Sequence, residues 1–194
     1  MKKSNVLLGT VAVAGLMATT ACGSRADEEP AAPVETQAPA ATETEAAPAA
    51  AQEPEVEPNG TVIEVQMLTR DPDGSGMQVF KPRLFTAKVG DTIRFVPTDP
   101  THQSSSIAGM VPEGARGWKG EINKAVEYVV PKPGIYGFEC VPHYAAGMVG
   151  MIIVEGEGMT ANLEAAKATT HPGLAGKKFE EIFAEAEAQG LLGG

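Results

Sequence analysis

The stretch Cys140-Val141-Pro142-His143-Tyr144-Ala145-Ala146-Gly147-Met148 places a thiol, an imidazole and a thioether close together in the chain. The two residues between Cys140 and His143 let a tight turn aim both side chains at one point, and the residues that follow bring Met148 back from the far end of the loop. A metal ion held there needs one more donor. Of the three histidines, His171 lies in a polar C-terminal stretch, whereas His102 follows a strand-like run, Thr92-Ile93-Arg94-Phe95-Val96, and is the better choice. Two imidazoles, one thiolate and one weak thioether make the trigonal donor set with a long axial ligand that suits copper in blue, type 1 sites.

Other chemistries fit these residues less well. Structural zinc takes four Cys or His ligands, and no second CxxC or HxxxH pair is present. A Cys–His nucleophile would need neither a Met beyond the His nor the small Ala145-Ala146-Gly147 run. Cys140 and Met148 could each be ordinary core residues, since both types are often buried and Met fills gaps. For Met148 alone the core reading is the stronger; for the four residues together, copper is.

A metal site of this kind needs a stiff frame, and the chain supplies one. Val62 to Leu68 alternates, with Ile63, Val65 and Met67 on one face and Glu64 and Gln66 on the other, the signature of a half-buried strand. Further strands are expected at Met77–Phe80, Leu84–Lys88, Thr92–Val96, Ser104–Ile107, Val126–Val130, Ile135–Cys140 and Val149–Val154, separated by Gly- and Pro-bearing turns. Short strands without βαβ alternation predict an all-β, antiparallel Greek-key sandwich of about eight strands over residues 60–158. Tyr136, Phe138 and Cys140 then share an inward face, with the thiolate at the end of its strand. Residues 159–194 change pattern: Thr160 to Lys167, and Lys177 to Gln189 with Phe179, Ile182, Phe183 and Ala186 at helical spacing, predict two C-terminal helices packed on the sandwich. His171, between them, is expected to be an exposed loop residue.

The N-terminal third is of another character. Residues 1–22 carry Lys2 and Lys3, an apolar run from Val6 to Ala18 too short to span a bilayer as a helix, and Thr19-Thr20-Ala21-Cys22, which together predict a lipoprotein-type export signal. Cys22 would carry the lipid; cleavage at Ser24-Arg25-Ala26 would instead remove it. Residues 23–59 are rich in Ala, Pro, Glu and Thr, lack aromatics and cannot build a core, so a disordered acidic linker is expected. Of the formal net charge of −10, the signal contributes +2 and this linker −8, leaving −4 for the remainder. Cys140 is then the one thiol outside the signal region, in an oxidising periplasm where a lone Cys calls for a reason. No nucleic-acid partner is expected at this charge.

Residues from about 62 to 190 resemble the pseudoazurins, small bacterial blue-copper carriers of the cupredoxin fold. The likeness runs beyond the loop: Met67-Leu68, Gly76-Met77-Gln78-Val79-Phe80, Gly90-Asp91-Thr92, Pro97-Thr98-Asp99, Gly109-Met110-Val111-Pro112-Glu113-Gly114-Ala115, Gly134-Ile135-Tyr136-Gly137 and Asn162-Leu163-Glu164-Ala165 are all similar to that family. Plastocyanins share the loop spacing but lack the terminal helices. The resemblance implies one copper ligated by His102, Cys140, His143 and Met148, with Met77 near the His143 ring. It implies a monomeric electron carrier and not an enzyme, reacting with a c-type cytochrome or a copper nitrite reductase. A copper-buffering protein with no redox partner would show the same ligands. A copper enzyme such as a nitrite reductase would need a second site, for which only His171 remains.

Three positions depart from the family pattern. Gln103 stands where Asn usually follows the first ligand, Trp118 where Phe is usual, and Glu139 where many relatives carry Lys. Trp118 is read as core packing. The electron port is expected at the His143 ring, inside an apolar rim of Ala145, Ala146, Pro112 and Met77. Glu139, Asp71 and Asp73, against Arg70, Arg116 and Lys119, lead to an expected rim without the family's positive charge and hence to a neutral or mildly basic partner.

Overall fold

The computed structural model describes residues 56–74 and 76–193. The expected export signal, Cys22 and nearly all of the expected linker lie outside these residues. The compact contacts begin at Asn59, whose amide donates to Gly90 O (2.8 Å) and whose side chain donates to Asp91 Oδ1 (2.7 Å).

Eight strands and two helices follow: β1 Val62–Arg70, β2 Met77–Lys81, β3 Leu84–Ala87, β4 Thr92–Pro97, β5 Ser105–Ser106, β6 Val126–Val129, β7 Gly134–Glu139, β8 Val149–Val154, α1 Leu163–Ala168 and α2 Ala175–Ala188. They form two four-stranded sheets, ordered β2-β1-β4-β6 and β3-β8-β7-β5. The strands fall where alternation puts them, yet the sheets are mixed and not purely antiparallel. After the β1–β2 pair the chain crosses to the second sheet for β3 and returns on the other side of β1, so β4 runs parallel to it, Val62 facing Thr92 and Val65 facing Phe95. β3 and β8 likewise pair in parallel. Crossing between two packed sheets achieves what in an open sheet takes a helix, and periodicity says nothing about which neighbour a strand finds.

The sandwich interior is aromatic. Phe138 on β7 meets Phe80 and Phe95 edge-on at centroid distances of 4.8 and 5.0 Å, and Trp118 stacks on Phe95 at 5.2 Å while its Nε1 donates to Ser104 Oγ at 3.0 Å. Trp118 is thus a core residue with its polar edge satisfied, as read from sequence.

Strand β8 is buried along its whole length. Ile152 and Val154 face the sandwich, while Val149, Met151 and Ile153 face a second apolar layer made with Phe179, Ile182, Phe183 and Ala186 of α2. Coverage on both faces explains an unbroken apolar run where β1 alternates. Helix α1 is anchored by Asn162, just before it, whose side chain accepts from Ile135 N (2.9 Å) and donates to Ile135 O (2.8 Å), supplying the partner that β7 lacks there.

Candidate metal centre

The end of β7 delivers Cys140. A short 3₁₀ turn, Val141–His143, follows at once, with Pro142 in its first turn. His143 N donates to Cys140 O (2.9 Å), Met148 N to His143 O (3.1 Å) and Cys140 N to Met148 O (3.0 Å). These bonds close the loop upon itself just before β8 begins, so the spacing seen in the sequence becomes a fixed ring of backbone. Cys140 and Met148 are both fully buried in the sandwich core, and His143 is half-exposed.

The third donor arrives from the loop after β4. Thr101 takes a left-handed turn (φ 73°), its amide donates to Asn123 Oδ1 (2.6 Å), and Asn123 N donates to His102 O (2.9 Å). His102 is thereby fixed and fully buried. Its Nδ1 lies 3.7 Å from Cys140 Sγ and 3.1 Å from His143 Nδ1, which is itself 3.4 Å from the same sulfur. The centre of that triangle is about 2 Å from each atom, the reach of a first-row metal ion to imidazole nitrogen. Among the described residues this His102–Cys140–His143 trio is the only such cluster of His, Cys, Asp and Glu donors.

The surroundings suit a cation. Burial pushes the Cys140 thiol up, and burial with the His143 ring beside it pushes the His102 imidazolium down. The protein therefore favours the neutral donors, and a bound cation is what would draw out the thiolate. The backbone amides of Gln103 and His143 point at the sulfur. On the far side of His102, Nε2 meets Thr69 Oγ1 at 3.2 Å, and Thr69 N donates to Asp99 Oδ2 at 2.7 Å. This outer support, which holds the ring with Nδ1 inward, was not foreseen; Thr69 closes a strand with no spacing that marks it.

Several sequence expectations about the rim are corrected. Pro112 is buried against Gly134, at the start of β7 and so away from the loop, and does not belong to the rim. Met77 does: it is 54% exposed and lines one cleft with Ala146. Glu139 points off the outer face of the second sheet, half-buried opposite Ser105, and its buried Oε2 finds no hydrogen-bond partner among the described residues, so burial pushes the carboxyl up; its charge still reaches Tyr144 in the loop. His171 is not a free loop residue either. Its ring stacks on Phe179 (4.3 Å, 26°), and its Nδ1 lies 2.6 Å from the hydroxyl of Tyr144, the neighbour of His143. Burial, with the charge of Glu139 adding, pushes that phenol up to about 12, so the hydroxyl keeps its proton, and the imidazole tautomer sets the direction of the bond.

A family model described as copper binding proteins of the plastocyanin/azurin family matches residues 65–155. A pseudoazurin of Methylorubrum extorquens is 41% identical over 123 residues, covering 63% of this chain and 80% of that one. A pseudoazurin of Paracoccus pantotrophus is 39% identical over 122 residues, covering 63% and 81%. The crystal structure of pseudoazurin from Methylobacterium extorquens superposes with a TM-score of 0.59 at 40% identity, spanning 64% of this chain and 98% of that one.

Proposed function

The chain belongs to the pseudoazurin family of cupredoxins, and from that premise we propose that it carries single electrons through one type 1 copper ion bound by His102, Cys140, His143 and Met148. The observation that carries the ligand assignment is the triangle of His102, His143 and Cys140 donor atoms, with edges of 3.1 to 3.7 Å, in a desolvated pocket at the end of β7. Met148 would be the fourth ligand on this reading, because its backbone is bonded to both Cys140 and His143 and its side chain is buried in the same core cluster as Cys140. Copper, when bound, supplies a one-electron couple; the protein's task is to hold the donors in a geometry that suits both oxidation states. The closed loop, the Thr69 support behind His102 and the amides at the sulfur of Cys140 do this. His143, half-exposed in the loop that carries Ala145 and Ala146, is the port on this proposal.

Charged residues lining the cleft that holds Met77 and Ala146 pair with one another. Lys81 pairs with Asp71 and Asp73, Arg83 with Glu185 (2.8 Å), and Lys178 with Glu181 (2.8 Å). Such a surface gives little long-range steering. The proposed partner is accordingly a c-type cytochrome met by brief apolar docking. Reconstitution with copper is expected to produce a blue absorption band, and stopped-flow mixing with a reduced c-type cytochrome to give a rate that changes less than about threefold between low and moderate salt. A colourless product would overturn the site. A blue protein that does not accept electrons from the cytochrome, or that does so at a rate collapsing with salt, would overturn the partner.

The proposed setting is the periplasm, with residues 1–22 as an export signal, Cys22 as a lipid anchor and residues 23–59 as a tether to the sandwich and its helical extension. The small residues before Cys22 motivate this. The mature N-terminus is expected to show the mass of an acylated Cys22, and a lipid-free chain beginning at Asp27 would rule the anchor out.

A further inference from the structure

The segment from His171 to Lys178, entering α2, lies along the stretch between His143 and Met148. The Tyr144 hydroxyl and His171 Nδ1 are hydrogen-bonded at 2.6 Å. Leu174 N donates to Ala145 O at 2.8 Å. Gly173 has φ +54°, and a Cβ there would stand 2.3 Å from Ala145 O, so the segment approaches the loop as closely as a backbone can. A Cβ on Gly147 would meet Lys178 Cγ at 2.9 Å. Three of the four residues between His143 and Met148 are therefore pressed or bonded by one segment that the sandwich itself does not contain. His171 is in turn held by its stack on Phe179, a residue 2% exposed in the apolar layer under α2. The path runs from a rigid core residue, through one imidazole and one phenol, to the backbone of a proposed ligand.

We propose that His171 is a positioning residue of the copper site: by clasping Tyr144 to the C-terminal helix it restricts the loop that carries His143 and Met148, and so sets the properties of the bound copper. This rests on the ligand assignment proposed above. The physical reason is that backbone bonds from Ala146, Gly147 and Met148 to His143 and Tyr144 hold the loop only to itself and the Leu174–Ala145 bond pins it at one point; a further attachment through Tyr144 removes hinge motion that these leave free.

Full-length protein carrying His171→Phe, which keeps the ring on Phe179 and removes the ring nitrogen, is to be compared with Tyr144→Phe, which removes the hydroxyl, and with the double variant. In the metal-free protein, hydrogen exchange at the Ala146, Gly147 and Met148 amides is expected to quicken about fivefold in each single variant, equivalent to about 1 kcal/mol for one net hydrogen bond, and no further in the double. In the copper-loaded protein, release of copper to a chelator quickens by a similar factor and the reduction potential moves in the same direction in all three. His171→Asn, whose amide can present either an acceptor or a donor near the place of Nδ1, restores part of both effects. Unchanged exchange in His171→Phe overturns the proposal, as do effects that add in the double variant, or a potential that stays put while exchange quickens. If the parent itself takes up no copper, the ligand assignment falls, and the metal-free exchange still decides whether His171 holds the loop.

Discussion

Replacement of Cys140 by Ser is expected to abolish the blue colour of the copper-loaded protein and to weaken copper retention by at least two orders of magnitude. The thiolate is the one anionic donor among the four proposed ligands, and the blue band is a transfer of charge from that sulfur. A serine hydroxyl in the same buried position would have to ionise against a far larger cost than the thiol already meets, since burial pushes even the Cys140 thiol up. What remains is two imidazoles and a thioether with no negative charge among them. Met148→Gln gives the contrast: an axial oxygen donor tunes the site without supplying its charge, so the colour stays and the potential shifts. Visible absorption and a chelator competition on both variants make the check. A blue Cys140→Ser protein would exclude the sulfur as a ligand, and a Met148→Gln protein that cannot hold copper would mean the thioether carries more of the binding than an axial contact should.

The largest effect on stability is expected at Phe138. Its ring is wholly buried and meets Phe80, Phe95, Phe85 and Trp118, which come from β2, β4, β3 and the loop before β6. Gly150 on β8 leaves it room, since a Cβ there would stand 2.2 Å from the ring. Phe138→Ala should cost about 3–5 kcal/mol, toward the upper figure because closing the cavity would require strands of both sheets to move together. Against the 5–15 kcal/mol typical of a folded domain, that is a large fraction. Urea unfolding of the metal-free protein measures it. Cys140 lies two residues further along the same inward face, so copper affinity should fall as well, whereas a loss under about 1 kcal/mol would show that the neighbouring rings close over the gap.

Much of this protein was legible in its residues because the rules that wrote it are local. A period of two placed β1, β4 and β7, since a sheet with one face on the core must alternate, and Phe179, Ile182, Phe183 and Ala186 marked the buried face of α2 for the corresponding helical reason. Cys140, His143 and Met148 lie within one loop, so their convergence follows from spacing, and His102 could be chosen because so few histidines compete. Matters that depended on which distant segment lies opposite were out of reach. Alternation is the same for parallel and antiparallel neighbours, and so an antiparallel sandwich is expected where β1–β4 and β3–β8 in fact pair in parallel. The departure of Glu139 from the family pattern was visible, but not that its carboxylate is half-buried across from Ser105 with one oxygen lacking a partner among the described residues. Pro112 sits in a family-like run whose end of the sandwich only the packing against Gly134 decides. His171 looked like loop because its own stretch is polar; Tyr144 and Phe179, 27 residues before it and eight after, give that imidazole its place. The spacing of the proposed ligands is a property of one turn of chain, whereas the contacts that Thr69 makes with His102 and His171 with Tyr144 are assembled across the fold and are written in no short stretch of it.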